Sequence, residues 1–105
     1  MRSKVKTQAN GRFLKLVKPV LAEFGFADEK ELIREQIVLM LEARISQYEA
    51  EKRMFEDKYK GRYEKVSKKC FRVEKFDFED DLNDWRFALE AIEANNRKLG
   101  EILNA

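Results

Sequence analysis

Toward the C-terminal end, Phe78, Leu82, Trp85, Leu89, Ile92, Asn96, Leu99 and Leu103 follow one another at alternating steps of four and three, the period of a helix face that packs on another helix. A second run with this spacing lies upstream: Val38, Leu41, Ile45, Tyr48, Lys52, Phe55 and Tyr59. Matching seams predict two long helices that cover each other, within one chain or between two. Lys52 interrupts the upstream seam, where its aliphatic stem can pack while the ammonium reaches water. Asn96, a polar residue in a seam, is placed to fix register or oligomeric state. Trp85 has two readings, a core residue of the protein's own helices or the anchor of a partner chain.

The rest of the pattern fills in around these seams. Val5, Thr7 and Ala9 alternate with Lys4, Lys6 and Gln8, which admits a short strand over Ser3 to Gln8 and equally a disordered tail. Phe13, Leu14, Leu16, Val17, Val20, Leu21 and Phe24 have helical spacing, with a kink or late start expected at Pro19 and a stop at Gly25. Asp28 and Glu31 form an acidic capping box, so a long helix is expected from there to Gly61, about 32 residues or roughly 48 Å. Ile37, Leu39 and Met40 widen its apolar surface, as in a stretch buried on more than one side. Tyr63, Val66 and Cys70 suggest a short helix, Phe71 to Phe78 an extended connection. The last helix is expected to begin among Phe78 to Asp81 and to stop at Gly100, with Leu103 folding back as a cap contact.

Composition supports the helical reading. Of 105 residues, 40% are charged and one is Pro, which favours solvated helices, while 44% hydrophobic content with eight Phe argues against global disorder. At this length a long helix often needs a second chain to cover its apolar face, so a homodimer is expected. No apolar run approaches the ~18 residues of a membrane span and no secretory h-region opens the sequence. The single Cys70 suits a reducing cytoplasm.

The net charge of +2 conceals segregation. Residues 1 to 18 carry Arg2, Lys4, Lys6, Arg12, Lys15 and Lys18 with no carboxylate. A second basic block runs from Lys58 to Arg72, and the following stretch is acidic through Glu74, Asp77, Glu79, Asp80, Asp81 and Asp84. These blocks read as surfaces for different partners, as surfaces that pair across chains, or as solvated helix faces.

Chemistry finds little equipment. There is no His, and no phosphate-loop, dinucleotide or zinc pattern. Asp80 and Asp84 share a helix face, but helical metal enzymes place carboxylates on several facing helices. Ser3, Ser46 and Ser67 have no His to activate them. No enzyme activity, cofactor or metal is expected.

The run Gly25-Phe26-Ala27-Asp28-Glu29-Lys30-Glu31-Leu32-Ile33-Arg34-Glu35-Gln36-Ile37 resembles the turn and second helix of ribbon-helix-helix repressors over about the first 45 residues. That resemblance implies two chains pairing one strand each, with Lys4, Lys6, Gln8 and Arg12 toward DNA, and a four-helix core. The chain departs from the family at Pro19, in a less apolar strand, and at Asp28 and Glu29, whose charge repels a phosphate. A degenerate unit that only dimerises follows, through Leu32, Ile33, Ile37, Val38, Leu41 and Ile45.

The rest, Tyr48 to Tyr59 followed by Phe78-Glu79-Asp80-Asp81 and Trp85, is similar to small prokaryotic antitoxin-like helical proteins. The similarity implies a C-terminal segment that holds a small basic toxin-like partner, through Phe76, Phe78, Asp80, Asp81, Asp84, Trp85 and Leu89. The expected fold is thus mainly α, a helical dimer with a dimerisation unit over 1–60 and a partner-binding or packing segment over 61–105. The expected function is a non-enzymatic, antitoxin-like interaction module. A self-contained helical-bundle homodimer with a scaffold role and a ribbon-helix-helix-like DNA-binding regulator are the alternatives.

Overall fold

A computed structural model describes residues 6–69 and 75–105, with side chains from Gly11 to Lys69 and from Asp77 to Ala105. Four helices follow in order: α1 (Lys6–Glu23), α2 (Glu29–Tyr59), α3 (Tyr63–Val66) and α4 (Lys75–Leu103). No strand occurs among the described residues. The expected strand over residues 3–8 is replaced by helix from Lys6 onward, and its earlier residues lie outside the described ones. Helix α1 also runs through Pro19. Proline removes one hydrogen bond there, and the exposed position lets water satisfy the carbonyl left free.

The turn after α1 forms as its sequence predicts. Gly25 takes φ 88°, Phe26 N–H donates to Leu21 C=O at 2.9 Å and Gly25 N–H donates to Ala22 C=O at 3.1 Å. This is the paired hydrogen bonding of a Schellman end, and glycine suits its left-handed residue. Asp28 then caps α2, its Oδ1 accepting from Glu31 N–H at 2.9 Å, while Glu31 Oε1 accepts from Ala27 N–H at 2.5 Å. The Asp28 carboxylate satisfies one donor that the first helical turn leaves open, and Glu31 reaches back past the cap to the N–H of the residue before it.

Helix α2 ends at Tyr59, two residues before the glycine that its sequence marks as the stop. Lys60, not Gly61, holds the left-handed position at φ 56°, and Gly61 N–H reaches back to Glu56 C=O at 3.2 Å. Helix α4 departs from expectation at both ends. It starts at Lys75, so residues 75–78 of the expected extended connection are helical, and residues 71–74 lie outside the described ones, as does Cys70. It also passes through Gly100 to Leu103, which is an exposed helical residue and not a cap contact. Glycine is a weak breaker where no left-handed turn is built around it, costing about 1 kcal/mol in a helix interior.

The chain forms two compact units, Met1–Ile37 and Val38–Ala105. The second carries most of the buried side chains: Leu41, Phe55, Val66, Trp85, Ala88 and Asn95 are buried there. In it the second part of α2 and α4 run antiparallel. Contacts climb one helix as they descend the other: Tyr59 meets Phe78, Phe55 meets Trp85, Tyr48 meets Phe87, and Arg44 meets Asn95. Short α3 packs on α4 and supplies Val66 to the same core. In the first unit one large apolar residue among the described side chains, Leu21, is buried.

Candidate interaction surfaces

Trp85 is the centre of the second unit and is fully buried. Its indole stacks near-parallel on Phe55 and Tyr59, at centroid distances of 5.6 and 6.0 Å, and meets Tyr63 edge-on at 5.5 Å. Phe55 and Tyr59 sit one helical turn apart on α2, so a single face offers both rings. Phe78, Leu82 and Leu89 close the cluster from α4. Offset and edge-on ring pairs add to the stabilisation from area burial alone. Of the two readings of Trp85, this one is the core residue.

A polar clasp borders the aromatic cluster. Asp81 Oδ2 accepts from Lys58 Nζ at 2.6 Å and from Tyr59 Oη at 2.5 Å. Burial pushes the Asp81 carboxyl up, but the hydrogen bonds from Lys58 and Tyr59 outweigh it and hold the group below the ordinary aspartate value. The hydrogen bond to Asp81 raises the Lys58 ammonium. Burial first, then the Asp81 hydrogen bond, raises the Tyr59 phenol. One cation of the basic block at 58–72, the exposed Lys58, is thus paired within the chain with the acidic block at 77–84.

Further along the hairpin, Asn95 is buried, donates from Nδ2 to Ala91 C=O at 2.7 Å and accepts from Arg44 at 3.3 Å. Sequence spacing marks Asn96 for this place, yet Asn96 is exposed. Lys52 behaves as its seam position predicts: it is half-buried, with its ammonium 3.7 Å from Glu49 and 3.8 Å from Glu56. An open cleft of about 600 Å³ lies beside it, lined by Lys52, Glu56, Arg62, Tyr63, Trp85 and Leu89 among others. Among the described residues no cluster of three Asp, Glu, Cys or His converges as a metal site needs. No helix among them is long and apolar enough to cross a membrane.

The residues marked for a toxin-like partner therefore have unequal positions. Trp85 is core, Phe78 and Leu89 pack against it, and Asp81 is held by Lys58 and Tyr59. Asp80 and Asp84 are exposed and recur with Phe87, exposed except where its edge meets Tyr48, at i, i+4 and i+7 along one face of α4. The side chain of Phe76 lies outside the described residues. Among the positions marked for dimerisation, Leu41 is buried, Leu32, Ile37, Val38 and Ile45 are half-buried, and Ile33 is exposed. Lys6 and Gln8 lie in α1, so those positions do not form the expected ribbon; Arg12 is exposed on the same helix and Lys4 is outside the described residues.

The surface that seam counting missed is on α1. Phe13, Leu16, Val20 and, in the turn just after the helix, Phe24 are 44% to 72% exposed, and their spacing of three, four and four puts them on one stripe. Leu14, Val17 and Leu21, on the adjoining flank, are half-buried or buried. Helix α1 thus carries more apolar surface than its own chain covers. The signal was present in the sequence as an apolar arc too wide for one packing partner. No protein family, curated protein or solved structure matches the chain.

Proposed function

We propose that this protein is a non-enzymatic, homodimerising helical scaffold, in which the N-terminal helix pair is the docking element and the C-terminal hairpin is a self-contained support. The observation that carries this reading is the α1 stripe: four large apolar side chains on one face, exposed in the single chain. Contiguous apolar surface of this kind marks association sites in soluble proteins. Burial of Trp85 gives the hairpin a core of its own, which fits a support better than a clamp. The reducing cytoplasm, suggested by the single cysteine, is the proposed setting.

A second reading, an antitoxin-like protein that holds a small basic partner, draws on the outward α4 face of Asp80, Asp84 and Phe87. It narrows the contact set to side chains that are exposed, with the Phe87 ring also meeting Tyr48 edge-on.

The test is the mass of the chain in solution by light scattering. Wild type is expected to be dimeric at micromolar concentration, and the double variant Leu16→Ser with Phe24→Ser monomeric. A wild-type monomer that has the same solution behaviour as the variant would remove the docking reading.

A further inference from the structure

We infer that the α1 stripe is covered by a second copy of this unit, laid so that basic α1 of one copy crosses the acidic opening of α2 in the other. This rests on the docking reading above and specifies what docks and in which sense.

Three observations converge. The first unit ends at Ile37 and, among its described side chains, buries one large apolar residue, Leu21. Units below about 40 residues rarely hold a core without a disulfide, a metal or association, and this one has neither cysteine nor histidine. The second observation is area. With about 150–250 Å² on each aromatic side chain, the half-exposed Phe13 and Phe24 together with Leu16, Val20 and Ile33 present several hundred Å² of apolar surface. Doubled by a two-fold axis, that is on the order of the ~1,200 Å² at which specific protein interfaces begin.

The third is charge. From Gly11 to Glu23, α1 carries three cations, Arg12, Lys15 and Lys18, against the single carboxylate Glu23. From Asp28 to Ile37 the balance reverses, with Asp28, Glu29, Glu31 and Glu35 against Lys30 and Arg34. Among the described residues Arg12, Lys15 and Lys18 make no ion pair. A two-fold axis is isologous, so whatever α1 offers to the partner's α2 is offered back in the same contact. Crossing α1 on the partner's α2 brings unlike charges together twice, whereas α1 on α1 brings like charges together. An anionic lipid surface would attract the α1 cations but repel the carboxylates that follow.

A charge swap in the full-length chain tests this. One variant carries Lys15→Glu and Lys18→Glu, the other Glu29→Lys and Glu35→Lys; Asp28 and Glu31 stay because they cap α2. Each variant alone is expected to self-associate at least about tenfold more weakly by sedimentation, and an equimolar mixture to recover a one-to-one pair near wild-type strength. Unchanged Trp85 emission verifies that the hairpin is intact. If the stripe variant breaks the dimer while both charge variants pair like wild type, or the mixture shows no recovery, the crossing is wrong and the docking reading survives. A wild-type monomer that binds phosphatidylserine–phosphatidylcholine vesicles would overturn both.

Discussion

The Phe55 ring lies 5.6 Å from the Trp85 indole, 20° from parallel, and joins the upstream seam to the downstream one inside a single chain. That contact fixes the register of α2 against α4.

Truncation of Trp85 should therefore unfold the hairpin and not merely trim a surface. For Trp85→Ala the expected loss is about 3–5 kcal/mol, read from chemical denaturation. Because Trp85 is the one tryptophan, native emission should be blue-shifted and move red in one step with unfolding. A variant that melts like wild type would show the indole to be dispensable.

Acid should weaken the Asp81 clasp. Folding lowers the Asp81 pKa from 3.8, so its contribution is present above the unfolded value and is lost as pH falls through the folded one. Lys58 and Tyr59 are raised from 10.5 and 10.0, so their contributions are present below those values and are lost as pH rises through the folded ones. The difference in melting temperature between wild type and Asp81→Asn should thus be steady near neutrality and shrink below pH 3.8. An equal difference in strong acid would show the carboxylate's charge to be irrelevant. Tyr59→Phe, which removes one donor while Lys58 stays, should cost about 1 kcal/mol.

Two backbone substitutions should stabilise the protein. Lys60 holds a left-handed conformation that suits glycine better, so Lys60→Gly should gain up to about 1 kcal/mol. Gly100 lies inside α4, and a Cβ there would meet nothing within 4 Å. Gly100→Ala should gain about 0.5–1 kcal/mol through helix propensity. Melting temperatures decide both, and a fall for Gly100→Ala would mean that the helix does not continue through this residue.

Local signals in the sequence read through to structure where one residue type has one physical use. Asp28 with Glu31 and Gly25 with its flanking residues are such cases, and the helix start and stop stand where they point. Bulk misled where packing used small or polar residues. Seam spacing selects Asn96 and Leu103, both exposed, beside Trp85 and Leu89, yet the buried flank also holds Ala88 and Asn95. Ala88 carries no bulk to count, and Asn95 is held inside by Arg44 and Ala91. Seam periodicity also says nothing about which chain supplies the facing helix; Phe55 on Trp85 answers that for the hairpin. For the candidate site, the sequence displays the apolar residues of α1, but spacing alone does not tell exposed Phe13, Leu16 and Val20 from buried Leu21.

Amide hydrogen exchange across a dilution series tests the two-part account most directly. Protection over residues 11–37 should fall as the protein is diluted below its pairing concentration, while the hairpin from Val38 onward, with Trp85 at its centre, keeps its protection. Protection that is independent of concentration along the whole chain would contradict the claim that α1 depends on a second copy.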